Sequence, residues 1–471
     1  LWYFSRSHSA KSEPFDLLVV PQDVSAVVWA LSSLIFSTVE ELGYDADIRR
    51  VAEKDDKRKQ HIRYVYRLDN RFYKTLKCLD EYDDFTFTGR ATRVWEVIQV
   101  RGFDHLQAVT GAKHAVLRDV WLDHGGATEG ETQKKIFERC EEVARNFPRD
   151  DDPRLIGVDD ATRKELRDRL IKGTYKELFL TIEADHRGAK CKSVAEGFVV
   201  APKILEHPEY INKSATKRGA DAHRSNSSRS TLAHVVAGGQ QNASTREFNP
   251  KQRNFVVYEE VCRALHDILF MICWIHRDIS SGNVLLHGGR GKLGDLEYAK
   301  EFDLSVQKRS SDPKTGTPIF MAVEVQSECY IYDPEEDDAG GFATLPDSIE
   351  ALVTVRHNFQ HDLESVFWIM LWVMITRLEG ERCNDAAKRL FGRKETQFTI
   401  DRQINLCKGL YFALSIQGLR SGLPSNFYAG LLSMRKELCN AYKQRKLNFG
   451  DMASYSPVYG RLREALEHIA A

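Results

Sequence analysis

The chain has 471 residues, more than one small core accommodates, and its 42% hydrophobic and 29% charged residues exclude wholesale disorder. A net charge of −1, from 67 basic and 68 acidic residues, excludes a global electrostatic bias toward nucleic acid or an anionic membrane, so neither is expected as a partner. Nine cysteines, odd in number and never spaced Cys-x-x-Cys, argue against a disulfide framework or a clustered zinc site. The expectation is reduced thiols in an intracellular chain, cytoplasmic or nuclear, and the opening residues show no secretion signal.

In chain order, Val24 to Leu42 reads as an apolar helix and the run Lys54-Asp55-Asp56-Lys57-Arg58-Lys59 as a charged turn. Strand-like runs follow at Ile62–Tyr66, Phe72–Leu76, Phe85–Thr88, Arg93–Val100 and Ala115–Trp121. The pattern predicts a helix over Glu131–Phe147 and another strand over Leu178–Ile182. Residues 206 to 250 are rich in Ser, Asn, Gly and Gln and read as a flexible insertion; an acidic, glycine-bearing one spans 333–341. Phe255–Val261 reads as a buried strand.

Beyond Asp362 the pattern is mostly helical. The longest apolar run, Val366–Ile375, is ten residues. A bilayer span takes about twenty. A short helix that is apolar all round belongs inside a globular domain. Strands first and helices later predict an α+β fold in two lobes.

The sharpest signal is His276-Arg277-Asp278-Ile279-Ser280-Ser281-Gly282-Asn283, followed by the apolar strand Val284-Leu285-Leu286. His-Arg-Asp with Asn five residues after the Asp is the spacing of a protein-kinase catalytic loop. Its chemistry explains the spacing: Asp278 would accept the proton of an attacking hydroxyl, and Asn283 would ligate a magnesium ion between phosphates. Twelve residues past Asn283 stands Asp295, in Gly294-Asp295-Leu296-Glu297, as the second magnesium ligand. Leu296 fills the apolar slot of the usual Phe, and Glu297 replaces the usual Gly. Gly316-Thr317-Pro318 to Glu324 resembles the segment ending in Ala-Pro-Glu, with Thr317 placed to contact Asp278 and Glu324 as a buried ion-pair acid. Between them, Ser310 and Ser311 are candidate phosphosites. Asp362, opening the apolar helix, is expected to bond the backbone of the catalytic loop.

Upstream, Phe87-Thr88-Gly89-Arg90-Ala91-Thr92-Arg93-Val94 stands where a kinase has its glycine loop, and only Gly89 of three glycines is present. Ala115-Val116-Leu117-Arg118 resembles Val-Ala-Ile-Lys, with a larger planar fork at the lysine position. Glu131 is the expected acidic partner from the following helix, with Glu138 as runner-up.

The His-Arg-Asp-Ile-Ser-Ser-Gly-Asn run, Gly89 to Trp95, and His361-Asp362-Leu363-Glu364-Ser365 together resemble the fungal-type protein kinase family. So do Trp2-Tyr3-Phe4-Ser5-Arg6-Ser7-His8 and Glu41-Leu42-Gly43-Tyr44-Asp45. The resemblance runs to about residue 375. It implies a bilobal kinase-like fold with a β-rich N-lobe and a mostly helical C-lobe, and ATP-dependent Ser/Thr phosphorylation of a protein substrate. ATP would be held at Gly89, Val94, Val116, Arg118, Glu259, Val261 and Leu285, with Mg2+ on Asn283 and Asp295. The implied segments are an extension over 1–84, an N-lobe over 85–261 and a C-lobe over 262–471. A pseudokinase scaffold is the alternative, since the phosphate lysine and two glycines are altered.

One interval departs further. Only thirteen residues, Arg263 to Ile275, separate Cys262 from His276. They make at most one helix of roughly 20 Å, where kinases thread two. The expectation is a hole in the C-lobe core that leaves Phe367 and Leu371 partly uncovered.

Overall fold

The computed structural model describes the chain except residues 1, 5–8, 12–20, 55–59, 82–90, 193–249, 259–266, 288–289, 303–315, 332–354, 379–380, 393–394, 418–421, 423, 446–447 and 471. Both expected insertions, the Phe85–Thr88 strand, Ser310 and Ser311 therefore lie outside the described residues. The chain divides into two compact units, Leu1–Gly126 with Glu183–Val257, and Ala127–Ile182 with Tyr258–Ala471.

The first unit is built on strands. β1 (Trp2–Phe4) pairs antiparallel with β2 (Ser9–Lys11), and helix α1 spans Pro21–Phe36. The other strands are β3 (Ile48–Lys54), β4 (Gln60–Leu68), β5 (Arg71–Glu81), β6 (Arg93–Val100), β7 (His114–Asp123), β8 (Ile182–Lys190) and β9 (Lys251–Tyr258). They form one seven-stranded sheet in the order β3-β4-β5-β6-β7-β9-β8, with β3 to β7 an antiparallel meander. β4 and β5, expected in a separate extension, thus share a sheet with β6. Tyr66, Tyr73, Val97, Leu117 and Phe255 make the core of this unit. In β7 the alternation of faces is lost and Leu117 to Val120 are all buried, as in a strand covered on both sides. Burying Asp119 is tolerated because Tyr66 Oη (3.1 Å) and Arg253 Nε (2.7 Å) both donate to it.

The second unit opens with α2 (Glu129–Arg145), two residues earlier than the sequence pattern suggests because Thr128 caps it. Its buried stripe, Thr132, Ile136, Cys140 and Val143, follows helical spacing. α3 (Asp160–Lys172) ends on Gly173, whose left-handed φ of 71° closes the helix. The strand expected over Leu178–Ile182 is not formed as such. Thr174–Leu178 is a 3-10 turn, Phe179 makes one parallel bridge to Leu293, and β8 begins only at Ile182. Short elements follow: α4 (Asp267–Met271), β10 (Trp274–Ile275), β11 (Val284–His287), β12 (Arg290–Leu293), β13 (Lys300–Glu301) and α5 (Val323–Ser327). The remainder is helical: α6 (Phe359–Arg377), α7 (Glu381–Phe391), α8 (Glu395–Cys407), α9 (Gly409–Ile416), α10 (Ser425–Arg445) and α11 (Met452–Ala470).

α6 is the axis of this unit. Asn358 caps it by accepting the Gln360 amide at 3.0 Å, and the helix is buried on nearly all sides. The hole expected against Phe367 and Leu371 is absent there, for both are 0% exposed. The later helices cover that face: the Phe367 ring lies 5.7 Å from Phe412 of α9 and 5.0 Å from Trp368. A neighbouring stripe of the helix is less covered, with Val366 and Met370 only partly buried. No helix among the described residues is long and apolar enough to cross a membrane.

A packed Phe367 face makes a direct prediction. Phe367→Ala should lower unfolding free energy by about 3–5 kcal/mol, as for truncation of a filled core site. Urea denaturation measures this, and a loss below about 1 kcal/mol would restore the idea of an uncovered face.

Candidate active site

The His276 loop follows β10 and is tied to the start of α6. The amide N–H of His276 donates to Asp362 Oδ2 (2.7 Å), and that of Arg277 donates to Oδ1 (2.9 Å). Two successive amides converge on one carboxylate because Arg277 takes a left-handed φ of 72°. Burial pushes the Asp362 carboxyl above its ordinary range, while His276 and the two amides pull the other way. The fully buried His276 ring has both nitrogens engaged. Nδ1 accepts the Asp278 amide (3.3 Å), which leaves the proton on Nε2, and Nε2 donates to Gly294 O (3.0 Å).

Asp278 is buried at the loop's centre. The amide (2.9 Å) and hydroxyl (3.0 Å) of Thr317 both donate to its Oδ1. Burial comes first in raising the Asp278 carboxyl above its usual value, and the charge of nearby Asp295 adds to it. The Thr317 segment approaches closely through Gly316, at φ 118°, where a Cβ would meet Arg277 O at 3.0 Å.

Asn283 donates from Nδ2 to Asp278 O at 2.8 Å, which turns the amide oxygen away from that bond. Its own carbonyl accepts the Gly294 amide at 3.0 Å, locking the start of β11 to the end of β12. The next residue, Asp295, has a left-handed backbone (φ 60°), and its N–H donates to Glu129 Oε1 at 2.7 Å. Glu129 is 1% exposed and also accepts the Tyr258 hydroxyl at 2.5 Å. Leu296, beside Asp295, is fully buried. The second unit therefore brings Asp278, Asn283, Asp295 and Thr317 together.

Glu129 and Tyr258 escaped sequence reasoning. Glu131, the acid expected there, sits at the third position of the same helix, where its Oε2 accepts the Thr128 amide at 3.0 Å and completes a capping box. Arg118 is a buried residue of the first unit; it stands opposite Val94 across β6 and β7, and Val116 lies two residues back on the same sheet face. Gly89, Glu259 and Val261 lie outside the described residues, and Leu285 is described only as backbone in β11.

Residues 1–374 match the family model described as fungal protein kinase. The chain belongs to the fungal protein kinase family. Compared with curated proteins it finds no match. Among solved structures it is similar to the ROP18 kinase domain in complex with AMP-PNP and sucrose, at 10% identity over 95% of this chain and 91% of that one, with a TM-score of 0.28. At that score the likeness adds nothing to the fold assignment, which rests on the family match and on the β-rich and helical units described above.

The chain secures the segment after Thr317 with a buried polar cluster. Glu324 Oε2 accepts from Arg445 (2.9 Å), its Oε1 accepts the Ile331 amide (3.0 Å), and His361 Nε2 lies 2.9 Å from Oε2. Glu364 accepts the Val323 amide (2.8 Å), the Trp368 indole (2.7 Å) and the Tyr442 hydroxyl (2.5 Å). Arg402, fully buried with its guanidinium 4.1 Å over the Trp368 ring, donates to Met321 O at 2.7 Å. Burial alone would raise the Glu324 carboxyl, but His361 and Arg445 outweigh it and hold the group below its ordinary value.

A carboxyl held low in the folded state stabilises above its unfolded pKa and loses that contribution as pH falls. Glu324→Gln should therefore lower Tm at neutral pH and flatten the acid limb below about pH 5. Arg445→Ala, which strands the carboxylate, should cost about 3–5 kcal/mol. Parallel Tm-versus-pH curves for wild type and Glu324→Gln would remove this group from the acid response.

Proposed function

We propose that this protein transfers the γ-phosphoryl group of ATP to Ser or Thr hydroxyls of protein substrates. The observation that supports the reading most is the meeting of Asp278, Asn283, Asp295 and Thr317 at one place in the second unit. Asp278 is the general base. With Oδ1 occupied by Thr317, Oδ2 is the oxygen that takes the proton of the attacking hydroxyl. A carboxyl raised by burial and by a like charge is a better proton acceptor than a solvated one. Thr317 fixes that carboxylate through two hydrogen bonds.

Asn283 and Asp295 are the residues that would hold magnesium, which supplies positive charge among the phosphate oxygens when bound. The donor set fits: one carboxylate and one amide oxygen suit a cation that keeps waters and phosphate oxygens as its remaining ligands. In this reading Arg118 orients the phosphates with Glu131 as its partner, and Gly89, Val94, Val116, Glu259, Val261 and Leu285 contact the nucleotide.

A second reading, a pseudokinase that binds partners without phosphoryl transfer, is favoured by Arg118 in place of lysine and by Glu297 in place of glycine. Transfer of radiolabel from ATP with magnesium to a generic basic protein separates the two. Wild type should label the substrate on Ser or Thr. Asp278→Asn should abolish labelling yet keep the thermal shift produced by ATP with magnesium, because its carboxylate acts on the hydroxyl and not on the nucleotide. The shift should vanish in Asp295→Ala and largely survive in Arg118→Ala. Absence of labelling and of any shift in wild type would support the scaffold reading. Equal labelling by wild type and Asp278→Asn would remove Asp278 from the mechanism.

A further inference from the structure

The face of α6 that carries Val366 and Met370 borders a half-open apolar cavity of about 450 Å3, walled on its other sides by α3, α10 and α11. Leu363, Val366 and Met370 form its α6 wall at helical spacing, Met434 and Leu466 face it from α10 and α11, and Val284 lines it from β11. Protein interiors hold few voids larger than a water molecule. A void of about 150 Å3 lined by aliphatic side chains stays dry and takes up apolar molecules, and this one is larger. It falls within the ~300–1,000 Å3 of small-molecule sites.

The charged residues at its edge occur in balanced numbers, Glu165 and Glu467 with Arg169 and Arg463. Arg169 is paired with Glu165 at 2.9 Å, and Arg463 donates to Thr162 Oγ1 at 2.7 Å. The rim thus offers no surplus charge to a charged ligand. We infer that this cavity is a binding site for an uncharged apolar small molecule, one with an aliphatic or aromatic body and at most a single hydroxyl.

The site has a route to the chemistry. Val284 directly follows Asn283, and β11, which it opens, pairs with β12, which leads into Asp295. An occupant pressed against Val284 would bear on the strand pair that ends in both proposed magnesium ligands. This regulatory part rests on the proposed function; the binding itself does not.

The probe is diphenylhexatriene, which is uncharged and fluoresces on entering an apolar site. With the full chain, its fluorescence should rise saturably to one probe per molecule and fall on competition with decanol, more weakly with decanoate. Val366→Phe and Met370→Trp fill the cavity and should each weaken binding about tenfold or more while melting cooperatively. Two filling variants on separate turns keep the test decisive if one of them fails to fold. Asp278→Asn should bind the probe as wild type does, so a failure of the catalytic reading would leave this result intact. Linear, unsaturable fluorescence, no binding at all, or undiminished binding in the folded filling variants would each overturn the proposal. Decanoate competing better than decanol would overturn the choice of an uncharged ligand.

Discussion

The geometry around Asp278 depends on one buried carboxylate. Asp362, at the first turn of the central helix, accepts the amides of His276 and Arg277. Such a group is costly to bury without partners. Its bonds hold Arg277 in a left-handed conformation that an L side chain rarely adopts. That turn places the His276 ring between the Asp278 amide and the Gly294 carbonyl, so one anchor organises both Asp278 and the strand end before Asp295. The anchor itself is rigid because α6 is buried on nearly all sides and capped by Asn358.

What this anchor assembles is a concentration of negative charge. Burial and the charge of Asp295 raise the Asp278 carboxyl above its usual value, while His276 and Thr317 pull it down. Glu129 adds another buried carboxylate, engaged by the Asp295 amide and the Tyr258 hydroxyl. An arrangement of this kind is unfavourable for folding and useful for binding a cation with phosphates. The buried cluster around Glu324, Glu364 and Arg445 has the opposite character. Its charges are matched, and it fixes the chain that follows Thr317.

The site was legible in the sequence where its chemistry is local. Asp278 and Asn283 are five residues apart and Asp295 is twelve further on, so spacing alone brings them into view. Asp362 was legible as well, as an acid in the first turn of a helix whose middle, Val366–Ile375, is an unbroken apolar run. Glu129 was not, because its partner Asp295 is 166 residues away and its own surroundings read as an ordinary acidic first turn. The available signal was Thr128 before it: the cap moves the helix start back, and an acid at the first position of a buried helix end needs a partner. In the sheet, β6 and β7 were legible by composition. The Leu178–Ile182 run differs from the expected strand because four apolar residues and a threonine also suit the buried exit of a 3-10 turn, and only Leu178 lies within that turn. The short interval before His276 suggested that Phe367 and Leu371 would be uncovered, and both are fully buried. Residue counting cannot show that α9 would cover Phe367 while Val366 and Met370 were left beside a cavity.

The central claim is that Asp362 holds the catalytic loop in the shape that brings Asp278, Asn283 and Asp295 together. Amide hydrogen exchange at His276 and Arg277, compared between wild type and Asp362→Ala, tests it most directly. The account expects both amides to be strongly protected in wild type and to exchange fast in the variant, while the core of α6 around Trp368 stays protected. Equal protection of His276 and Arg277 in the two proteins would contradict it.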